Sequence, residues 1–175
     1  MCTAITYQPR ELYMGRSLDY EASYGEELVV LPRRFPLRFR HGGGSEQGYA
    51  ILGTAHVADG YPLYYDAVNE KGLGIAGLNF VGNARYAAPQ DGRQNVAQFE
   101  FIPWLLRQCA TLAEARQLLQ AVNLTGTPFS PHFPAAQLHW LLADATGALT
   151  LEPTAAGLQI LSLIHISEPT RPISI

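Results

Sequence analysis

The stretch Ala4-Ile5-Thr6-Tyr7-Gln8-Pro9-Arg10-Glu11-Leu12-Tyr13-Met14-Gly15-Arg16-Ser17-Leu18 decides the fold. Residues 4–7 alternate in polarity, residues 8–11 supply a turn, and residues 12–18 run back. β-branched and aromatic side chains on both arms make this a β-hairpin signal. Working outward, residues 27–31 (Glu-Leu-Val-Val-Leu) predict a short strand stopped by Pro32. Beyond the polar loop 42–45, residues 49–57 and 63–68 predict two more strands. Residues 72–80 predict a further one, with small residues at alternate positions that suit close packing.

The pattern changes near Asn95. Phe99, Phe101, Ile102, Leu105 and Leu106 fall on one helical face, with Pro103 as a kink or early break. Thr111-Leu112-Ala113-Glu114 reads as a capping box, and Leu112, Ala115, Leu118, Leu119 and Val122 keep helical spacing behind it. Strands resume over 137–143, turn at 144–147 and continue over 148–152. Strands, then two helices, then strands predict a layered α+β domain rather than a βαβ repeat.

Composition narrows the function classes. The chain has 175 residues, 47% hydrophobic and 15% charged, with a formal charge of −3. That apolar fraction supports a buried core and excludes a disordered or collagen-like chain. An acidic balance argues against a nucleic-acid partner. No apolar run reaches the roughly 20 residues of a membrane helix, and the N-terminus lacks a signal-peptide pattern. Two cysteines, Cys2 and Cys109, are too few for a disulfide scaffold and are expected in a reducing cytoplasm. Arg33, Arg34, Arg38 and Arg40, interrupted by Phe35 and Phe39, read as a solvated loop.

Cys2 has two readings. It is a small hydrophobe at a chain end or, once Met1 is excised, a residue that carries a thiol and a free α-amine together. An amine titrating near ~8 beside a thiol near ~8.5 supplies base and nucleophile on one residue. Arg16 and Asp19 sit on the return arm of the first hairpin, which two-strand geometry brings back beside Cys2. A guanidinium near sulfur favours the thiolate, and a carboxylate can orient the α-ammonium group. The other reading of Arg16 and Asp19 is an ordinary surface pair. Asn79, ending an apolar strand, is either a turn former or a donor to a developing oxyanion. His56, His132 and His139 complete no triad, and Cys109 reads as a buried thiol.

Three segments break these ties: Met1-Cys2-Thr3-Ala4-Ile5, Gly15-Arg16-Ser17-Leu18-Asp19-Tyr20-Glu21, and the run Asn69-Glu70-Lys71-Gly72-Leu73-Gly74-Ile75-Ala76-Gly77-Leu78-Asn79-Phe80. With Tyr64-Tyr65-Asp66, Asn95-Val96-Ala97-Gln98-Phe99-Glu100 and Leu138-His139-Trp140, they resemble the choloylglycine hydrolases. These are the bile salt hydrolases and penicillin V acylases of the N-terminal-nucleophile superfamily. The resemblance implies an αββα sandwich and Cys2 as nucleophile, with Arg16 and Asp19 beside it and Asn79 in the oxyanion hole. At position 79 the chain is similar to bile salt hydrolases, whereas penicillin V acylases more often carry Tyr. The implied reaction is hydrolysis of glycine- or taurine-conjugated bile acids through a thioester on Cys2. It requires no metal or cofactor, and no Cys/His set has ligand spacing. Tyr20, Tyr24, Phe129 and Phe133 are expected to offer apolar faces to the steroid. The family also implies a homotetramer.

Two alternatives stand beside this reading: a penicillin V acylase-type amidase, and a non-catalytic fragment in which Cys2 is ordinary. The expected organisation is residues 1–160 as the N-terminal portion of one domain and residues 161–175 as a non-native tail. The tail contains Ser162-Leu163-Ile164-His165-Ile166-Ser167-Glu168-Pro169-Thr170-Arg171-Pro172, which is similar to translated sequencing-adapter read-through. On this reading the family pattern continues past the point matching Ile160, with a second oxyanion asparagine and a further arginine. The sandwich is then incomplete because the C-terminal part is absent, and the 175-residue product is expected to be poorly folded or inactive.

Overall fold

In the computed structural model, which describes residues 2–162, the first hairpin forms as its alternation predicts. β1 (Thr3–Tyr7) and β2 (Tyr13–Ser17) pair antiparallel in register Thr3↔Ser17 to Tyr7↔Tyr13. They form a small sheet of their own. The main sheet has seven strands. β3 (Glu26–Leu31) is followed, after the short pair β4 (Leu37–Arg38) and β5 (Gly44–Ser45), by β6 (Ile51–Ala58), β7 (Tyr61–Asn69) and β8 (Gly74–Asn79). β11 (Leu138–Asp144), β12 (Gly147–Thr154) and β13 (Gly157–Ser162) complete it in the order β13-β12-β11-β8-β7-β6-β3, every pairing antiparallel.

Strand alternation gives this sheet two different faces. One buries Leu31, Ile51, Ala55, Ile75, Trp140, Leu142, Leu149 and Leu151 against α1 (Phe101–Leu106) and α2 (Leu112–Leu119). The other carries Ala76, Leu78, Leu141, Ala143 and Ala148, on which Cys2, Ala4, Leu12 and Met14 of the hairpin rest. The layers are therefore helices, sheet, hairpin. Farther along the second face, Leu28 and Val30 remain 75% and 64% exposed.

The structure revises the sequence reading in three places. Pro103 neither kinks nor breaks a helix, because it is the third residue of α1, where its missing N–H is not needed. The preceding residues form a single 3₁₀ turn, Gln98–Glu100. Val122 is not the end of a helical stripe. It opens β10 (Val122–Thr125), which pairs parallel with β9 (Gln94–Ala97) outside the main sheet. In the capping box Thr111 Oγ1 accepts from the Glu114 N–H at 3.2 Å, but Glu114 reaches back to the N–H of Ala110, at 2.7 Å, rather than to that of Thr111.

The β12–β13 ladder runs to Leu149↔Ser162, two residues beyond Ile160. The possible strand at residues 163–166 and the rest of the expected tail to residue 175 lie outside the described residues. Among the described residues, no helix is long and apolar enough to cross a membrane.

Candidate active site

A β-bulge at the β6–β7 pairing organises the site. Thr54 faces Asp66 while Ala55 faces Tyr64, leaving Tyr65 as the extra residue. Gly53 makes the crowding possible, since a Cβ there would lie 2.2 Å from the Asp66 carbonyl oxygen and 2.5 Å from the Ala67 Cβ. The bulge places Asp66 on the hairpin side of the sheet and Tyr65 beside Arg16, whose guanidinium lies 5.8 Å from the Tyr65 ring centroid.

Arg16 is the hub. Its side chain is 6% exposed. Nη1 donates to Asp66 Oδ2 at 3.3 Å and Nη2 to the Gly77 carbonyl at 3.0 Å. The same Nη2 lies 3.8 Å from Cys2 Sγ. A buried guanidinium is costly unless paired. Asp66 and the Gly77 carbonyl supply that pairing, and they fix the one nitrogen that addresses the sulfur. Hairpin register puts Arg16 opposite Ala4, one turn of the pleat from Cys2, as the two-strand argument requires.

Asp19 lies just past β2 on the exposed side, and Arg16 takes Asp66 as its ion-pair partner. Asp66 entered the sequence reading only as part of a family segment. Its role was not visible, because fifty residues separate it from Arg16 and only the fold joins them. Tyr20 links the halves of the site. Its phenol is held above the ordinary range by burial first and by Cys2 second.

Tyr20, Tyr24, Phe129, Phe133 and Asn79 all line one cavity of about 460 Å³. Tyr65, Gln98, Phe99 and His56 contribute to its wall as well. Tyr20 meets Tyr24 edge-on at 5.3 Å, and Phe129 meets Phe99 edge-on at 5.3 Å. Phe133 lies 6.1 Å from Phe129 and 5.5 Å from the His56 ring. Arg40 secures the Phe129 wall: Nη2 donates to the Phe129 carbonyl at 2.5 Å, and the guanidinium lies 5.7 Å from the Phe99 ring centroid and 5.5 Å from that of Phe129. Asn79 ends β8 at the rim, opposite Leu138.

Cys109 behaves differently from Cys2. It is 2% exposed, and burial pushes its thiol up to about 11. Among the described residues, no three His, Cys, Asp or Glu side chains gather so as to hold a metal ion. The arrangement is a partly buried thiol beside a fixed cation, and Tyr20, which feels the charge of Cys2, lines the aromatic cavity.

Comparison with known proteins gives a consistent picture. A family model described as linear amide C–N hydrolases, choloylglycine hydrolase family, matches residues 2–169. A bile salt hydrolase/transferase from Lactiplantibacillus plantarum is 46% identical over 160 residues, covering 91% of this chain and 49% of that protein. A conjugated bile acid hydrolase from Lactobacillus gasseri is 36% identical over 155 residues, covering 87% of this chain and 49% of that protein. Among solved structures, an alanine-for-cysteine variant of a conjugated bile acid hydrolase from Clostridium perfringens superposes with a TM-score of 0.86 at 30% identity, over 93% of this chain and 51% of that one. A penicillin V acylase from Agrobacterium tumefaciens, at 20% identity and a TM-score of 0.71 over 92% of this chain and 49% of that one, shares the fold. The chain spans about half the length of these proteins.

Proposed function

We propose, from the premise that this chain belongs to the choloylglycine hydrolase family, that the protein cleaves the amide bond of glycine- or taurine-conjugated bile acids with Cys2 as nucleophile. One observation carries the reading: Arg16 Nη2 sits 3.8 Å from Cys2 Sγ. The aromatic cavity of about 460 Å³ begins at the neighbouring Tyr20.

Removal of Met1 exposes the Cys2 amine as base. Arg16, held by Asp66, stabilises negative charge on sulfur. Attack on the carbonyl carbon forms the C–S bond and a tetrahedral oxyanion, toward which the Asn79 amide at the cavity rim donates. Collapse breaks the C–N bond, and the amine base returns its proton to the leaving glycine or taurine nitrogen. Water then cleaves the thioester. The steroid body lies among Tyr20, Tyr24, Phe129 and Phe133, whose faces exclude water from the reacting carbonyl. Asp19 belongs to this proposal as an orienter of the α-ammonium group, as do a cytoplasmic setting and assembly as a homotetramer.

Intact-mass analysis should show loss of Met1, and iodoacetamide should modify Cys2 at least tenfold faster than the buried Cys109. Arg16→Leu should slow Cys2 modification. In a form extended to the relatives' length, glycocholate and taurocholate should be hydrolysed, and Cys2→Ala should abolish turnover. Hydrolysis by a form that retains Met1, or by Cys2→Ala, overturns the mechanism.

A further inference from the structure

Three buried polar atoms without a hydrogen-bond partner belong to residues in or behind the wall of the aromatic cavity: Gln98 Oε1, His56 Nδ1 and the Tyr61 hydroxyl. Gln98 and His56 are part of the cavity wall. Tyr61 stands behind it, 5.8 Å from the Phe99 ring and 5.9 Å from Phe129. An unpaired buried polar atom costs about 1–3 kcal/mol. Two of the three, on residues that line one largely aromatic cavity, mark a place where partners arrive from outside the chain.

Gln98 is the most constrained of the three. It is 3% exposed and lies in the 3₁₀ turn between β9 and α1, whose neighbours Ala97 and Phe101 are fully buried. Rotation about its last torsion exchanges amide oxygen and nitrogen at little cost, so the cavity can meet either a donor or an acceptor. His56 presents an imidazole from β6, against Phe133. The chemistry of the missing partner follows from the rest of the wall. Among the described residues, no Lys or Arg lines the cavity, so it offers no permanent cation to neutralise a carboxylate or sulfonate. A neutral hydroxyl both donates and accepts, matching an amide and an imidazole alike.

We infer that Gln98 and His56 are specificity-determining residues that read hydroxyl groups on the apolar body of the ligand, which enters with its acidic end outside. This rests on the reading of the cavity as the steroid site under Proposed function. A purely aromatic wall grips any flat hydrocarbon, whereas a wall with unpaired polar atoms rejects a body that leaves them unpaired.

Binding of two steroid acids to the 175-residue chain, measured by titration calorimetry below micellar concentration, tests this. One acid carries three ring hydroxyls (cholic acid) and the other none (5β-cholanic acid). Gln98→Met and His56→Phe should each weaken cholic acid binding about tenfold and leave cholanic acid binding within twofold. Gln98→Asn should retain part of the preference. Gln98→Met removes an unpaired acceptor, so its melting temperature should hold or rise, which separates lost recognition from a folding defect. Wild-type binding with unchanged or equally weakened affinity for both acids in the variants overturns hydroxyl recognition and leaves the steroid site standing. Binding of neither acid to a wild-type chain that shows a cooperative melting transition overturns both.

Discussion

The two faces of the seven-stranded sheet are built from the same strands to different ends. Toward the helices, large side chains interlock: Trp140, Phe101, Leu105, Leu106 and Leu142 are all 0% exposed. Toward the hairpin, the contact is made by alanines and a few leucines, with Cys2, Ala4, Leu12 and Met14 resting on them. The helix face has the volume and closure of a finished core. The hairpin face is a thin contact that positions a thiol and a buried guanidinium. Fold stability and the proposed chemistry thus fall on opposite sides of one sheet, so substitutions on the two sides should have different signatures.

The sharpest test of that division is Phe101→Ala. The Phe101 ring packs edge-on against Trp140 at 4.7 Å and has no route to solvent. Deleting such a ring costs about 3–5 kcal/mol, through lost transfer energy and the cavity left behind. Urea unfolding should show a loss of that size, and a loss below 1 kcal/mol would mean that the helix face is not the structural core.

A second test uses pH. Glu100 is 1% exposed on the helix side, and burial raises its carboxyl to about 7 even though the N–H groups of Arg40 and Ala97 donate to it. With the folded value above the unfolded one, the folded state binds the proton more tightly. The contribution to stability is therefore fully present below about pH 4.5 and is lost as pH rises through 7. A change on the order of 3 kcal/mol is expected across that window. Glu100→Gln should flatten this part of the profile of melting temperature against pH, and an unchanged profile would remove Glu100 as its source.

How much of this was legible in the sequence follows the same division. Local patterns carried far. Alternation in residues 4–18 yields the hairpin, and Thr111 with Glu114 marks the start of α2. The pairing that makes the site was not local. Arg16 meets Asp66 across fifty residues, through a bulge that places Tyr65 out of register. The run Tyr64-Tyr65-Asp66 does interrupt the alternation of β7, and that interruption is the one trace of the bulge in the sequence. Gln98 left a weaker trace, since a polar residue on each side of Phe99, Gln98 and Glu100, looks like a turn until the cavity is seen. β9 and β10 were hidden because Val122 continues the spacing of the preceding helix, and only their parallel pairing separates strand from stripe.

The smallest expected effect lies on the open part of the hairpin face. Leu28 and Val30 on β3 point to the side of the sheet that carries Leu52 and Val68, and all four are at least 41% exposed. Exposed side chains have already forgone their transfer energy, so exchanging them for threonine removes little. Leu28→Thr and Val30→Thr should each change unfolding free energy by about 0.5 kcal/mol or less, several times below Phe101→Ala. Threonine is β-branched, as valine is, a shape that a strand favours, which rules out lost backbone propensity as a confounding cost. A loss of about 2 kcal/mol from either substitution would show that this patch is covered in solution, and the contrast between a closed face and an open one would then fail at β3.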